Sequence, residues 1–168
     1  MTKAPTLQTA RLTLRAPEIA DFAAYADFVT GPRTQFMGGP HDQATAWSWF
    51  CNDMAQWPLL GMGGLTVQSL GRQVGQVALC HGPLFPEPEL GWFLFDGFEG
   101  QGFATEAAAA LLAWAFETRG LTTLVSYIDA RNEASIAVAR RLGGTLDLAA
   151  ATPDGLTTQV FRYDRRAG

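Results

Sequence analysis

Cysteine and histidine are scarce: two of each in 168 residues. Cys51 and Cys80 form no Cys-x-x-Cys pair, and no histidine stands at metal-ligand spacing, so no metal is expected. Both cysteines fall on apolar segments and read as small hydrophobes rather than as a disulfide or a catalytic thiol. Positive charge is also sparse, with 12 Lys and Arg against 16 Asp and Glu and a formal net charge of −4. Without a basic stripe or cluster, nucleic acid is not expected as the main partner. A mildly acidic surface suits a cationic amine. No apolar run is long enough to span a bilayer, and the N-terminus lacks the charged-then-apolar layout of a signal peptide. The expectation is therefore a cytoplasmic chain without a membrane partner. Internal repeats and low-complexity segments are missing too. What is present is a globular composition, 48% hydrophobic and 17% charged. It fits a single domain over 1–168 with its core at about 9–164. The sequence leaves a homodimer open.

The chain is organised around Asp96-Gly97-Phe98-Glu99-Gly100-Gln101-Gly102-Phe103-Ala104-Thr105-Glu106. Leu90 to Phe95 before it is short, apolar and aromatic, as a buried strand would be. After it, Ala107, Ala108, Leu111, Leu112, Ala115 and Phe116 recur at helical spacing, and Gly120 supplies a left-handed cap. A glycine-rich turn thus joins a strand to a helix, where the N–H groups of Gly100, Gln101, Gly102, Phe103, Ala104 and Thr105 have no intrahelical partner. Phosphate or pyrophosphate is the default ligand of such a turn. A Walker loop would end in Gly-Lys-Ser/Thr, which Gly102-Phe103-Ala104 does not. A dinucleotide fingerprint would need a third glycine and a later acidic residue, and would normally open the domain.

In chain order, Arg11 to Arg15 alternates as a half-exposed strand. Pro17 opens a helix with Ile19, Phe22, Ala23 and Ala26 on one face, ended by Gly31-Pro32. Thr30 to Pro40 reads as a loop, and Asp42 as the N-cap of a second helix carrying Ala44, Trp47, Cys51 and Met54 on one side. Leu60 to Val67 and Val74 to Leu79 form a hairpin around Ser69-Leu70-Gly71-Arg72. The proline-rich stretch 83–88 cannot join a ladder and sets the next strand apart. Leu124 to Ile128 is a strand, Asn132-Glu133-Ala134-Ser135 leads into a helix, and Thr157 to Tyr163 closes the chain as a strand. Strand-helix-strand-helix across 90–142 predicts a parallel pair within otherwise antiparallel hairpins.

The run Glu99-Gly100-Gln101-Gly102-Phe103-Ala104 resembles the pyrophosphate loop of the GNAT N-acetyltransferase superfamily, Gln/Arg-x-x-Gly-x-Gly/Ala. Glu89-Leu90-Gly91-Trp92, then Gly100 to Ala107, Asn132 to Ser135 and Arg141-Leu142-Gly143, look like its RimJ/RimL-type branch. The resemblance implies a mixed α/β (α+β), mostly antiparallel central sheet of about six or seven strands with a parallel pair and about four flanking helices. It implies acetyl transfer from acetyl-CoA to a primary amine of a small molecule or a protein N-terminus. Phe93, Leu94 and Phe95 would polarise the thioester carbonyl through backbone amides. The loop residues 100–105, with Asn132 and Ser135, would hold the cofactor. Glu89 is the first candidate base and His81 the alternative. Ser135 is a candidate proton donor, although capping a helix would equally explain Asn132 and Ser135. Arg33, Gln35, Phe36, His41 and Trp47 fall where the acceptor would lie. Two positions depart from the pattern: Ala139 stands where many members carry a tyrosine acid, and Glu99 replaces the Gln/Arg that opens the loop. They sustain an alternative, a CoA-binding or interaction domain without transfer.

Overall fold

The computed structural model describes residues 2–153 and 158–165. Its strands are β1 (Leu7–Gln8), β2 (Thr13–Arg15), β3 (Gly64–Ser69), β4 (Arg72–Cys80), β5 (Glu89–Leu94), β6 (Thr123–Asp129), β7 (Thr145–Leu146) and β8 (Thr158–Asp164). They make one sheet in the order β1-β2-β3-β4-β5-β6-β8-β7, and β5 with β6 is its parallel pair. The strand count exceeds the expected six or seven because β1 and β7 are two-residue edges, too short to leave an alternating pattern in sequence. Thr157, the expected start of the last strand, lies outside the described residues.

Four helices flank the sheet: α1 (Phe22–Val29), α2 (Gln43–Leu60), α3 (Phe103–Glu117) and α4 (Glu133–Arg141). On one face α3 buries Phe103, Ala107, Ala108, Leu111, Leu112 and Ala115. They pack with Leu14, Leu65, Val77, Leu79, Leu90, Leu124 and Phe161, and α4 adds Ile136 and Ala139 to the same cluster. On the other face α1 and α2 cover Phe93 and Phe95 with Tyr25, Ala26, Phe28, Val29, Ala46 and Phe50. The rings of Phe28 and Phe93 stack there at 4.2 Å and 7°. Alternation along β5 is the cause: Trp92 and Leu94 face α3, while Phe93 and Phe95 face α1.

Two helix faces differ from the sequence expectation. The stretch after Pro17 begins as a 3-10 turn over Ile19–Asp21, and α1 starts only at Phe22. That change of pitch turns Ile19 out to 69% exposure, and Ala23 is exposed as well. In α2 the buried side carries Ala46, Phe50, Asp53, Gln56 and Trp57, whereas Trp47 and Met54 face solvent. Hydrophobic spacing discounts Asp53 and Gln56, yet both are buried because each has hydrogen-bond partners. The same helix runs to Leu60 and ends at left-handed Gly61, so the strand expected from Leu60 starts at Gly64. The expected loop at 30–40 contains a 3-10 turn, Pro32–Met37. Asp42 caps α2 as expected, its Oδ1 accepting from the Thr45 amide at 2.7 Å.

A fork in the sheet matters most for function. The β5–β6 ladder has one bridge pair, Glu89 with Val125, and the two strands then part. The crotch is closed by polar groups: Tyr163 donates to Ser126 Oγ at 3.1 Å, and Ser126 donates to the Leu90 carbonyl.

Candidate active site

A cleft of about 940 Å³ opens at this fork. Its walls come from β5 (Trp92, Phe93, Leu94), from the loop and first turns of α3 (Glu99 to Ala109), and from α4 (Asn132 to Arg141). Phe28 and the turn Arg33 to Met37 close the α1 side.

The direction of each β5 amide follows from the ladder. The Phe95 amide donates to the Val74 carbonyl at 2.9 Å, and register pairs Phe93 with Gln76. In an antiparallel pair the bonded residues alternate, so the Phe93 and Phe95 amides are occupied by β4. Trp92 and Leu94 point the other way, into the fork where β6 has left. Leu94 already turns its carbonyl there, accepting from Arg33 Nη1 at 2.7 Å. Of the expected stretch Phe93 to Phe95, Leu94 alone therefore turns its amide toward the fork, and Trp92, just before that stretch, does the same.

At the strand-to-helix junction, Gly102 is the N-cap of α3 with φ +80°, a left-handed conformation that suits glycine. The first intrahelical donor is the Glu106 amide, to Gly102 O at 3.0 Å. The amides of 100–105 have no partner among the described residues, and Gly100, Gly102, Ala104 and Thr105 line the cleft. Gln101 is exposed and Phe103 is buried, and neither lines the cleft. Across the cleft Asn132 caps α4, its Oδ1 accepting from the Ser135 amide at 3.1 Å, and both side chains reach the wall. Capping and lining coexist. Ala139 is fully buried in the core, and α4 presents Ala134, Ala137, Val138 and Arg141 to the cleft instead.

Glu99, the departure in the loop motif, is tied up. Its Oε2 accepts from the Gly97 amide at 2.9 Å, and its Oε1 pairs with Arg33 at 2.6 Å. Glu106 is held by Thr9 Oγ1 at 2.6 Å and Arg11 Nη2 at 2.6 Å. Burial works against that carboxylate, but the bonds from Thr9 and Arg11 prevail and keep it below the usual glutamate range.

On the acceptor side, Arg33, Gln35 and Phe36 line the cleft. His41 and Trp47 do not. His41 sits 3.0 Å from the Met37 carbonyl and packs on Trp49, while Trp47 packs edge-on against Phe22 at 5.0 Å. Phe28 and Met37 take their place. The aromatic Phe28 was visible in sequence, but its role depended on the register of α1.

Glu89 and His81 do not line the cleft. Glu89 is half-buried on the α1 face of β5, beside Cys80 in register. Burial pushes its carboxyl up to about 7; the Tyr127 amide opposes this and the Asp53 charge adds to it. Between Glu89 and Phe93 on that face stands Gly91, where a Cβ would meet nothing within 4 Å. The strand surface is open there. Behind it Asp53 accepts from Tyr25 at 3.1 Å and Gln76 at 2.7 Å, and burial pushes it up to about 6 against those two bonds. His81 donates its amide to Gln56 Oε1 at 3.1 Å, and its Nδ1 is buried without a partner among the described residues. Cys80 is free, and burial pushes its thiol well up, so it is no nucleophile.

This geometry coincides with a known family. The GNAT acetyltransferase domain matches residues 11–145. An acetyltransferase from Agrobacterium tumefaciens is 49% identical, with a TM-score of 0.93 over 98% of this chain and 97% of its own. An acetyltransferase from Salmonella typhimurium that modifies the N-terminal serine of ribosomal protein L7/L12 shares the fold at 20% identity. Its TM-score is 0.77, over 98% of this chain and all of its own, 100%. A RimL L7/L12 α-N-protein acetyltransferase in complex with coenzyme A does so at 20% and 0.76, over 96% and 97%. Among the described residues there is no group of three or more side chains that could hold a metal, and no helix is long and apolar enough to cross a membrane. The chain belongs to the GNAT acetyltransferase family, whose members use acetyl-CoA, and is an acetyltransferase.

Proposed function

We propose that the protein transfers an acetyl group from acetyl-CoA directly to a primary amine of a small molecule or of a protein N-terminus. One observation carries this reading: a single cleft joins unpartnered loop amides, suited to a pyrophosphate, to free strand amides, suited to a thioester oxygen. The residues fit the cosubstrate. Amides 100–105 would take the pyrophosphate, aided by the α3 dipole. Asn132 and Ser135 would flank the pantetheine arm.

Binding supplies an activated thioester, and the chain does the rest. The Trp92 or Leu94 amide donates to the thioester oxygen as charge develops on it. The acceptor approaches from the Phe28–Phe36 side, over the open strand at Gly91. Its nitrogen must be neutral to attack, and its proton passes to Glu89. Three residues of strand separate Glu89 from Trp92, about 10 Å, so the relay to Glu89 runs through water. The new C–N bond forms, the C–S bond breaks, and sulfur leaves as a thiolate. A thiol pKa of roughly 8–9 lets that thiolate depart without a dedicated acid. Ser135 supplies a hydroxyl on the cleft should one assist.

The acceptor wall is largely aromatic and apolar (Phe28, Phe36, Met37, Phe93) beside Gln35 and the paired Arg33, and the carboxylates on the cleft, Glu99 and Glu106, are already paired. That favours an amine beside an apolar group over a polyamine. A thiol-release assay with acetyl-CoA and a panel of amines and N-terminal peptides tests the reading. Release with at least one amine, dependent on that amine, is expected. Tight CoA binding with no transfer to any acceptor would instead leave the non-catalytic alternative.

A further inference from the structure

Arg11 reads in sequence as one polar position of an alternating strand. In the structure it sits on the loop 90 residues later. Its Nη1 donates to the Gln101 carbonyl at 2.9 Å, and its Nε donates to Glu106 Oε2 at 2.7 Å. Its own amide donates to Glu106 Oε1 at 3.0 Å, and Thr9 donates to the same oxygen at 2.6 Å. The guanidinium lies over the Phe103 ring at 4.8 Å. A Cβ on Gly102 would stand 3.4 Å from Arg11 Nη2, so the two are in direct contact range.

Gln101 C=O and Gly102 N–H belong to one planar peptide unit and point in opposite directions. Whatever holds the carbonyl on one side aims the amide at the other. The unit lies between the Cα atoms of Gln101 and Gly102, and Gly102, with a positive φ of +80°, leaves it free to rotate at that end. Glu99 occupies the motif position that otherwise carries Gln or Arg, and it is turned toward Arg33.

We propose that Arg11 is a positioning residue for the cosubstrate pyrophosphate: by holding the Gln101 carbonyl it keeps the Gly102 amide turned into the cleft. This rests on the acetyl-CoA reading above. Arg11 is not on the cleft wall and touches no reacting atom; it acts through the loop. Glu106 and Thr9 hold Arg11 in turn, and the donor half of the site is built partly from the N-terminal segment.

The test compares donors that carry and lack a pyrophosphate. In Arg11→Ala, CoA affinity by titration calorimetry should weaken about tenfold, the loss of one charge-assisted hydrogen bond's worth of preorganisation. KM for acetyl-CoA should rise in step while kcat holds, and kcat/KM for S-acetylpantetheine should stay within about twofold. Arg140→Ala, an exposed arginine on α4, removes the same charge and should change neither. Should Arg11→Ala fail to fold, Arg11→Lys carries the same comparison, because an ammonium reaches Gln101 or Glu106 but not both. CoA affinity unchanged in the variant, or equal losses with both donors, overturns the proposal. A wild-type chain that binds no CoA overturns the acetyl-CoA reading as well, and is recognised before any substitution is made.

Discussion

Single residues set the acid–base behaviour of the proposed reaction. Glu89 has a folded-state pKa of about 7 against an ordinary 4.5, so it keeps its proton over a pH range in which the unfolded chain has lost it. As a base it must be ionised, and kcat/KM should climb with pH to a midpoint near 7. Glu89→Gln retains the shape but accepts no proton, so kcat/KM should fall about a hundredfold or more and the acidic limb should flatten. His81→Gln should cost far less; if it costs more, the histidine is the base. The stability sign runs the other way. A raised carboxyl contributes stability while protonated and loses it as pH rises through 7. Glu89→Gln should therefore melt higher than wild type at pH 8, with the gap closing towards pH 5. Asp53 provides a second check, since its charge is one of the causes raising Glu89. In Asp53→Asn the acidic limb should move to lower pH, as the pH–rate profile will show. Glu89 was legible as a candidate because it heads the central strand. Asp53 was not, because its meaning lies in Tyr25 and Gln76, which are 28 and 23 residues away in sequence.

At the scale of elements, the loop-to-helix junction was legible and the helix faces were not. Glycine spacing, the apolar stripe of α3 and the caps at Asp42 and Asn132 are local signals, and each reappears in place. The buried face of α2 is decided by what lies across from it, and polar Asp53 and Gln56 break the stripe that spacing relies on. Trp47 was misplaced for the same reason, since α2 turns it toward Phe22, while His41, just before α2, packs on Trp49. Gly102→Val tests the junction. Its branches would crowd the amides, so CoA binding should be lost, and the left-handed φ of +80° adds a strain of roughly 1–2 kcal/mol, visible as a lower Tm. Gly91→Val separates the other half of the cleft. There is room for the side chain and no left-handed φ, so the fold and CoA affinity should hold while KM for the amine rises. An unchanged KM for the amine in Gly91→Val would show that the acceptor does not cross the strand there.

For the whole molecule, the decisive feature is that β5 and β6 pair once and separate. The sequence shows two strands and a helix between them, hence a parallel pair; nothing in it marks where the ladder stops. That end point depends on Ser126 and Tyr163 closing the crotch from β6 and β8, and on α4 packing beside α3. On the proposed reading the fork would set the cleft's donors before any ligand arrives, and this allows a prediction by ligand class. A ligand that binds only the folded chain raises stability by about 2.7 kcal/mol at a hundredfold excess over its Kd. For a domain of this size that corresponds to a Tm increase of roughly 5–10 °C. CoA should give such a shift. ATP should not, because the loop lacks the Walker lysine, and NAD should not, because no acidic residue follows where its ribose would bind. On the proposed reading the pantetheine arm would separate these ligands physically, since it alone would thread the fork while the pyrophosphate rests on the loop. Pantetheine without the nucleotide should shift Tm less than CoA, and 3′,5′-ADP without the arm should also shift it less. Equal shifts from CoA and NAD would mean that the loop binds any pyrophosphate and that the fork contributes nothing to recognition.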